Sequence, residues 1–219
     1  MNPPILEHWL EHFGIAVAAL TGVLAARGKR IDLFGVLVLA LVTAFGGGTV
    51  RDVLVGDSPV VWLRSSFYLF NASIVAVLAF FIVRQWNPPL QVLMVADAFA
   101  LALFTLIGAR KGVLMHFSAP VSVLLGVITG VAGGMVRDVL LGQVPLVFQS
   151  PIHLYATASM CGAMVFTGLV YAGMALPIAT PIGVLIVLGM RLAGIRWRLS
   201  LPEFECEQRL AKSKTELNS

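Results

Sequence analysis

Residues 45–62 read FGGGTVRDVLVGDSPVVW, which puts three glycines, Arg51 and Asp52 at the end of a run apolar enough for a bilayer. A second copy follows. GGGTVRDVLVGDSPVVW from Gly46 aligns with AGGMVRDVLLGQVPLVF from Ala132, and Arg51 and Arg137 set the offset at 86 residues. Upstream, the same offset pairs Phe13 with Phe99, Gly22 with Gly108, Thr43 with Thr129, and the acids Glu11 and Asp97. The chain reads as a doubled unit.

The surroundings of both copies are those of a membrane protein. Of 219 residues, 58% are hydrophobic and 12% charged, with a mean hydropathy of +0.92, which no water-soluble domain of this size requires. Uncharged runs extend over Leu33–Val50, Ser65–Val83, Gly112–Val136 and Val139–Met190, the last long enough for two spans of roughly 20 residues. They are apolar on every side, so helices are expected rather than the alternating strands of a barrel. Cutting at charges, prolines and glycines gives seven spans, near 9–26, 32–50, 66–83, 90–109, 119–136, 152–172 and 178–196. The expectation is an all-α membrane protein with a single transmembrane domain over 1–201 and a polar tail over 202–219.

Seven crossings place Arg27, Lys29, Arg30, Arg84, Arg196 and Arg198 on one side, against Arg64, Arg110 and Lys111 on the other. By the positive-inside rule the first group is cytoplasmic, the N-terminus outside and the C-terminal tail inside. The same placement explains the net charge of +4 and pI near 9.4 without nucleic acid. The N-terminal MNPPILEHWLEHF has no basic region and no small-residue cleavage signal, so the first span is expected to remain in the mature protein. Cys161 and Cys206 have neither metal-site spacing nor a shared position, and no disulfide is expected.

Each copy holds three spans, repeat one over about 5–84 and repeat two over about 90–172, with the seventh span, about 178–196, outside. Three is odd, so the second copy enters the membrane from the opposite face. Inverted repeats of this kind place a site near the midplane, at interrupted helices from both halves. Here those helices are the second and fifth spans, expected to be kinked at Gly46, Gly47 and Gly48 and at Gly133 and Gly134. Glycine permits bending or unwinding there, and carbonyls freed toward a wet cavity could hold a cation transiently. The other reading is close helix packing, since Gly126, Gly130 and Gly134, and Ala40, Ala44 and Gly48, recur every four residues.

Arg51 and Asp52 are neighbours about 100° apart on a helix, a poor geometry for a pair within one copy. Cross pairs are expected instead, Arg51 with Asp138 and Arg137 with Asp52, because an ionised group in a span needs a partner or water. Anchoring of helix ends at the interface is the plainer alternative. Asp97, deep in its span, is expected to face the bundle or a water path, and Glu11 an outer mouth. Arg110 and Lys111 could act as a gate or as flanking anchors. His8, Glu11 and His12 spell HxxEH, but no third ligand follows to make a zinc site. There is no GxSxG elbow, no GxxxxGKS loop and no GxGxxG fingerprint, so neither an enzyme nor a cofactor is expected.

GGGxxRD at Gly46–Asp52, echoed by GGxxRD at Gly133–Asp138 within seven spans, resembles prokaryotic members of the trimeric intracellular cation channel family over roughly residues 5–198. The resemblance implies a homotrimer in the bacterial inner membrane, a pore within each subunit, and conduction of monovalent cations, mainly potassium. It also implies that the kinked second and fifth helices line the pore. Ala132 stands where the second copy would need its third glycine. Bacterial relatives are also catalogued as possible glycine transporters, and an Arg-Asp pair suits a zwitterion as an alternative. A scaffold whose glycines only pack helices is the third reading.

Overall fold

The computed structural model describes residues 5–86, 88–149 and 154–197, with side chains from Trp9 onward, and among these every regular element is helical. In chain order they are α1 (Ile5–Ala25), α2 (Leu33–Val55), the single-turn α3 (Val61–Arg64), α4 (Ser66–Trp86), α5 (Leu90–Leu114), α6 (Ala119–Leu140), α7 (Tyr155–Tyr171) and α8 (Leu176–Trp197). A 3-10 turn, Leu146–Phe148, lies between α6 and α7. Helices α2, α4, α5, α6 and α8 have the length and apolar composition of membrane spans. The apolar stretches Trp9–Ala25 and Tyr155–Tyr171 are shorter, each about 25 Å at 1.5 Å per residue.

All seven expected spans are present as helices. Four run further than charge placement suggested: α2 ends at Val55, α4 at Trp86, α5 at Leu114 and α6 at Leu140. Arg51, Asp52, Arg110, Lys111, Arg137 and Asp138 therefore lie inside helices rather than beyond their ends. The polar tail and Cys206 fall outside the described residues, while Cys161 is a partly buried thiol on α7.

Local chemistry sets the helix ends. The Asp32 carboxylate accepts from the Gly35 N–H at 2.8 Å and caps the start of α2. Gly56, at φ 68°, closes its other end with the N–H turned back to the carbonyls of Asp52 and Val53. Helix α6 starts with proline in its first turn, where the missing N–H leaves no helical bond unmade.

Small residues then set the packing. Helices α1, α2 and α4 of the first copy enclose one apolar core, and α5, α6 and α7 of the second, joined by α8, enclose another. A Cβ on Gly22 would stand 2.7 Å from the Ala40 Cα, and one on its counterpart Gly108 would stand 2.6 Å from the Thr129 Cβ. The backbones are that close because lipid supplies no hydrophobic drive between helices, and van der Waals contact must hold them. Among the described elements helix α8 packs on α5 and α7 alone, so the seventh span covers the second copy and no described helix covers the first in the same way.

Candidate functional site

Helices α2 and α6 meet where the duplicated motif begins. A Cβ on Gly47 would lie 2.1 Å from the Thr129 carbonyl oxygen, and one on Gly133 would lie 2.5 Å from the Thr43 carbonyl oxygen. These four residues form two pairs at the 86-residue offset, so the contact is reciprocal and marks the local twofold between the copies. Thr43 and Thr129 turn their hydroxyls to their own helices, donating to the Leu39 and Leu125 carbonyls, each at 2.6 Å.

Of the bending or unwinding expected at these glycines, unwinding is not found. Both α2 and α6 continue as helix through Gly46, Gly47, Gly48, Gly133 and Gly134. A continuous helix can still bend, but its carbonyls stay in the helical ladder and do not stand ready as potassium ligands. The glycines instead let two main chains touch. Unwinding there would strand carbonyls at several kcal/mol each, and close packing avoids that.

The cross pairs Arg51–Asp138 and Arg137–Asp52 are also not formed. Arg51 Nε donates to its neighbour Asp52 Oδ1 at 2.8 Å, and Arg137 Nε to Asp138 Oδ1 at 2.8 Å. Inversion explains the error. Lys111, near one end of α5, lies 3.9 Å from Asp52, whereas Asp97, near the other end, accepts from Arg137 Nη1 at 3.0 Å. Those two α5 residues are 14 apart in sequence, or about 21 Å along the axis, which no side chain bridges. Within a copy, the long arginine stem curls back beside the third glycine position: the Arg51 and Arg137 Nη2 atoms are 3.9 and 3.7 Å from Cβ positions built on Gly48 and Gly134.

Each aspartate has a second duty. Asp52 Oδ2 accepts from the Val61 N–H at 2.9 Å and Asp138 Oδ2 from the Leu146 N–H at 2.9 Å. One carboxylate thus joins the buried guanidinium to the first turn of the short helix that follows the span.

The acids at the start of each copy occupy equivalent places. Asp97 is buried and faces a cavity with Ala18, Leu101, Gly130 and Gly134 in its wall. Glu11 faces a second cavity, with Phe104, Ile15, Ala44 and Gly48 in the matching positions. Each offers about 20 Å³ to a water-sized occupant, room for about one ordered water. The Asp97 cavity takes its remaining polar lining from Thr21, Thr43, Thr129 and Tyr155, so every polar side chain on its wall presents oxygen. In the other, Glu11 accepts from the Tyr68 hydroxyl at 2.5 Å, and Trp62 stacks on Phe45 at 5.5 Å while its indole donates to Thr49.

Lys111 and Arg64 both hold Asp57, in the loop after α2. The Lys111 ammonium, working against partial burial and joined by Arg64, keeps the Asp57 carboxyl below the usual aspartate value. Neither Lys111 nor the half-buried Arg110 lines either cavity. Lys111 fastens a loop. Glu11 and His12 of the HxxEH stretch serve internal bonding, with His12 stacked on Tyr68 at 4.6 Å and its carbonyl accepting from Asn71 at 2.7 Å. Among the described residues no cluster of His, Cys, Asp or Glu is placed to hold a metal.

Sequence reasoning missed Tyr68, Tyr155 and Arg191. The two tyrosines are 87 residues apart rather than 86, so the alignment sets Tyr155 against Leu69 and conceals their shared role beside an acid. Arg191 lies outside the repeat, wholly buried on α8, with its guanidinium 4.6 Å from the centre of the Tyr155 ring.

The family pattern described as "Glycine transporter" matches this chain over residues 8–84 and again over 94–171, two matches that begin 86 residues apart. The UPF0126 inner membrane protein YadS of Escherichia coli K12 is 41% identical over 93% of this chain and 99% of its own. A UPF0126 membrane protein of Vibrio cholerae is 41% identical over 91% of this chain and 83% of its own. Among solved structures, a TRIC trimeric intracellular cation channel orthologue from Rhodobacter sphaeroides superposes with a TM-score of 0.85 at 32% identity, covering 90% of this chain and all of the other. A prokaryotic TRIC channel crystallised in 0.5 M KCl gives 0.82 at 26% identity, covering 90% of this chain and 99% of the other. Matched in both of its copies and similar over nearly its whole length to these proteins, the chain is a member of the TRIC-type membrane protein family, the one whose pattern bears the glycine-transporter description.

Proposed function

We propose that the protein is a passive channel for monovalent cations, with potassium as its main ion and a path within each subunit along the α2–α6 crossing. The observation that carries this is the lining of the Asp97 cavity, where Asp97, Tyr155 and three threonines supply only oxygen, the donor set that replaces the water of a hard cation. Its counterpart beside Glu11 lies in the opposite half of the bundle, so the two cavities form approaches to one crossing. With room for about one water each, they describe a closed passage, and conduction requires the crossing to widen. The similar solved proteins are named as cation channels, which supports the same reading. By likeness to the trimeric channel and to the inner membrane protein the functional unit is a homotrimer in the bacterial inner membrane, and the distribution of basic residues sets its N-terminus outside and its C-terminus in the cytoplasm. This is a conduit rather than an enzyme.

A carrier for glycine is the second reading, favoured by the description of the matching family. It needs an arginine free to take a carboxylate, and both motif arginines already donate Nε to their own aspartates. Reconstitution separates the two. A channel gives unitary potassium currents in planar bilayers without any amino acid. Saturable counterflow of labelled glycine without unitary steps would replace the channel by the carrier.

A further inference from the structure

Six charged side chains are buried among the described residues: Arg51, Asp52, Asp97, Arg137, Asp138 and Arg191. Arg51 and Asp52 close on each other. The second copy is different, because Arg137 faces two carboxylates, Asp97 at 3.0 Å and Asp138 at 2.8 Å. One negative charge is left over. The sixth group, Arg191, comes from the seventh helix, which belongs to neither copy, and beside its other contacts it places a positive charge against the Tyr155 ring, from where it can act on that surplus.

Its position suits that role. The Arg191 guanidinium lies against the Tyr155 ring, and the Tyr155 hydroxyl, Asp97 Oδ1 and Arg137 Nη2 lie 3.2, 3.6 and 3.7 Å from a single point, the Cβ position above Gly134. Tyr155 thus stands between the α8 cation and the cavity acid. In the first copy the acid counterpart, Glu11, has Tyr68 as its partner, and among the described residues no helix equivalent to α8 packs behind it. The further cations on that side, Lys111 and Arg64, are 22% and 42% exposed and open to screening by salt, whereas a buried charge is screened far less.

We infer that Arg191 is a positioning and selectivity-setting residue of the passage: a fixed buried positive charge that holds Tyr155 beside Asp97 and offsets the surplus carboxylate, limiting cation occupancy in that half alone. This rests on the conduction reading above. Its signature is directional, because the two halves are charge-balanced by different means. Removing Arg191 enriches cations at the Asp97 approach and favours the current that enters from there. The expected change in the ratio of currents at equal and opposite voltages is about two- to fourfold, the effect of a unit charge about 10 Å away at an effective dielectric constant of about 80 to 40.

The test is single-channel recording in symmetric KCl on wild type, R191Q, R191K and the double variant R191Q/D97N. R191Q is expected to shift the current ratio, while R191K and R191Q/D97N, which keep the charge or remove its partner, return it toward wild type. An unchanged ratio in R191Q, or a double variant no closer to wild type than R191Q, overturns the inference. A second measurement does not depend on current: thermal midpoints of purified protein in KCl and in N-methylglucamine chloride at equal ionic strength. R191Q should gain potassium-specific stabilisation that R191Q/D97N lacks, and equal midpoints in the two salts for R191Q would overturn it. Absence of unitary current in wild type would instead defeat the channel reading, with the thermal comparison still deciding the role of Arg191. If R191Q does not fold, recovery of folding in R191Q/D97N supports the charge balance and failure of both refutes it.

Discussion

The two copies are built from one pattern and differ in how they hold their charges. In the first, the Arg51–Asp52 pair closes on itself and the nearby acid, Glu11, is partly buried against Tyr68. In the second, Arg137 is wholly buried between two carboxylates, and α8 adds both a cover and a further cation. Duplication supplied equal frames, and the unpaired seventh helix made them unequal. The first copy thereby keeps its acid and its extra cation partly exposed, and the second depends more on internal electrostatics.

The largest effect should come from breaking the second copy at its centre. Arg137→Met leaves Asp97 and Asp138 buried without their shared cation, at a cost of about 3–5 kcal/mol. Arg51→Met should cost clearly less, because it strands one carboxylate rather than two and that one, Asp52, lies near Lys111. Thermal unfolding of the two variants in detergent measures the difference, and equal losses would remove the asymmetry argued here.

The crossing should respond in the opposite way, alike from both sides. Gly47→Ala and Gly133→Ala each drive a methyl group into a main-chain carbonyl and should each destabilise by about 1–3 kcal/mol. Gly46→Ala, whose nearest contact is 3.4 Å away, should stay within about 0.5 kcal/mol of wild type. Melting curves across this set test whether the glycines act by steric clearance; equal losses at all three would point to backbone flexibility instead.

Tyr68→Phe removes the bond to Glu11 and should cost about 1 kcal/mol, seen as a drop in the thermal midpoint. Tyr155→Phe sharpens the comparison. It keeps the ring under Arg191 but takes the hydroxyl from beside Asp97, and should alter current ratio more than stability.

The smallest effect is the loop lock. Asp57 is held below its ordinary value of 3.8, so its stabilising contribution is present above that value and is lost as pH falls through its lower folded value. Lys111→Met should flatten this acid-side loss between about pH 4 and about pH 2, by less than about 1 kcal/mol because the pair is partly exposed. Thermal midpoints across that interval check it.

The repeat made most of the fold legible. Charges, prolines and glycines marked seven spans, and a fixed offset that paired Gly22 with Gly108 and Thr43 with Thr129 added the division into copies and, through odd parity, the inversion; the two family matches begin at the same spacing. The charge partners were not legible. The argument that sequence neighbours diverge by 100° on a helix ignores the length of an arginine stem, and the inversion itself carries the two Arg-Asp steps to opposite ends of α5. Helix ends were drawn short for a related reason: Arg51 and Lys111 looked like solvent signals, yet both have acidic partners within the protein. Tyr68 and Tyr155 escaped because one residue of slippage hides them, and Arg191 because nothing in a repeat points outside it.

The meeting of Gly47 with Thr129 and of Gly133 with Thr43 has a genetic corollary. The obstacle to any larger residue there is a peptide carbonyl, which every amino acid carries. No compensating substitution at Thr129 or Thr43 can therefore make space, and revertants of a Gly47 or Gly133 mutation should map to positions that tilt or translate an entire helix.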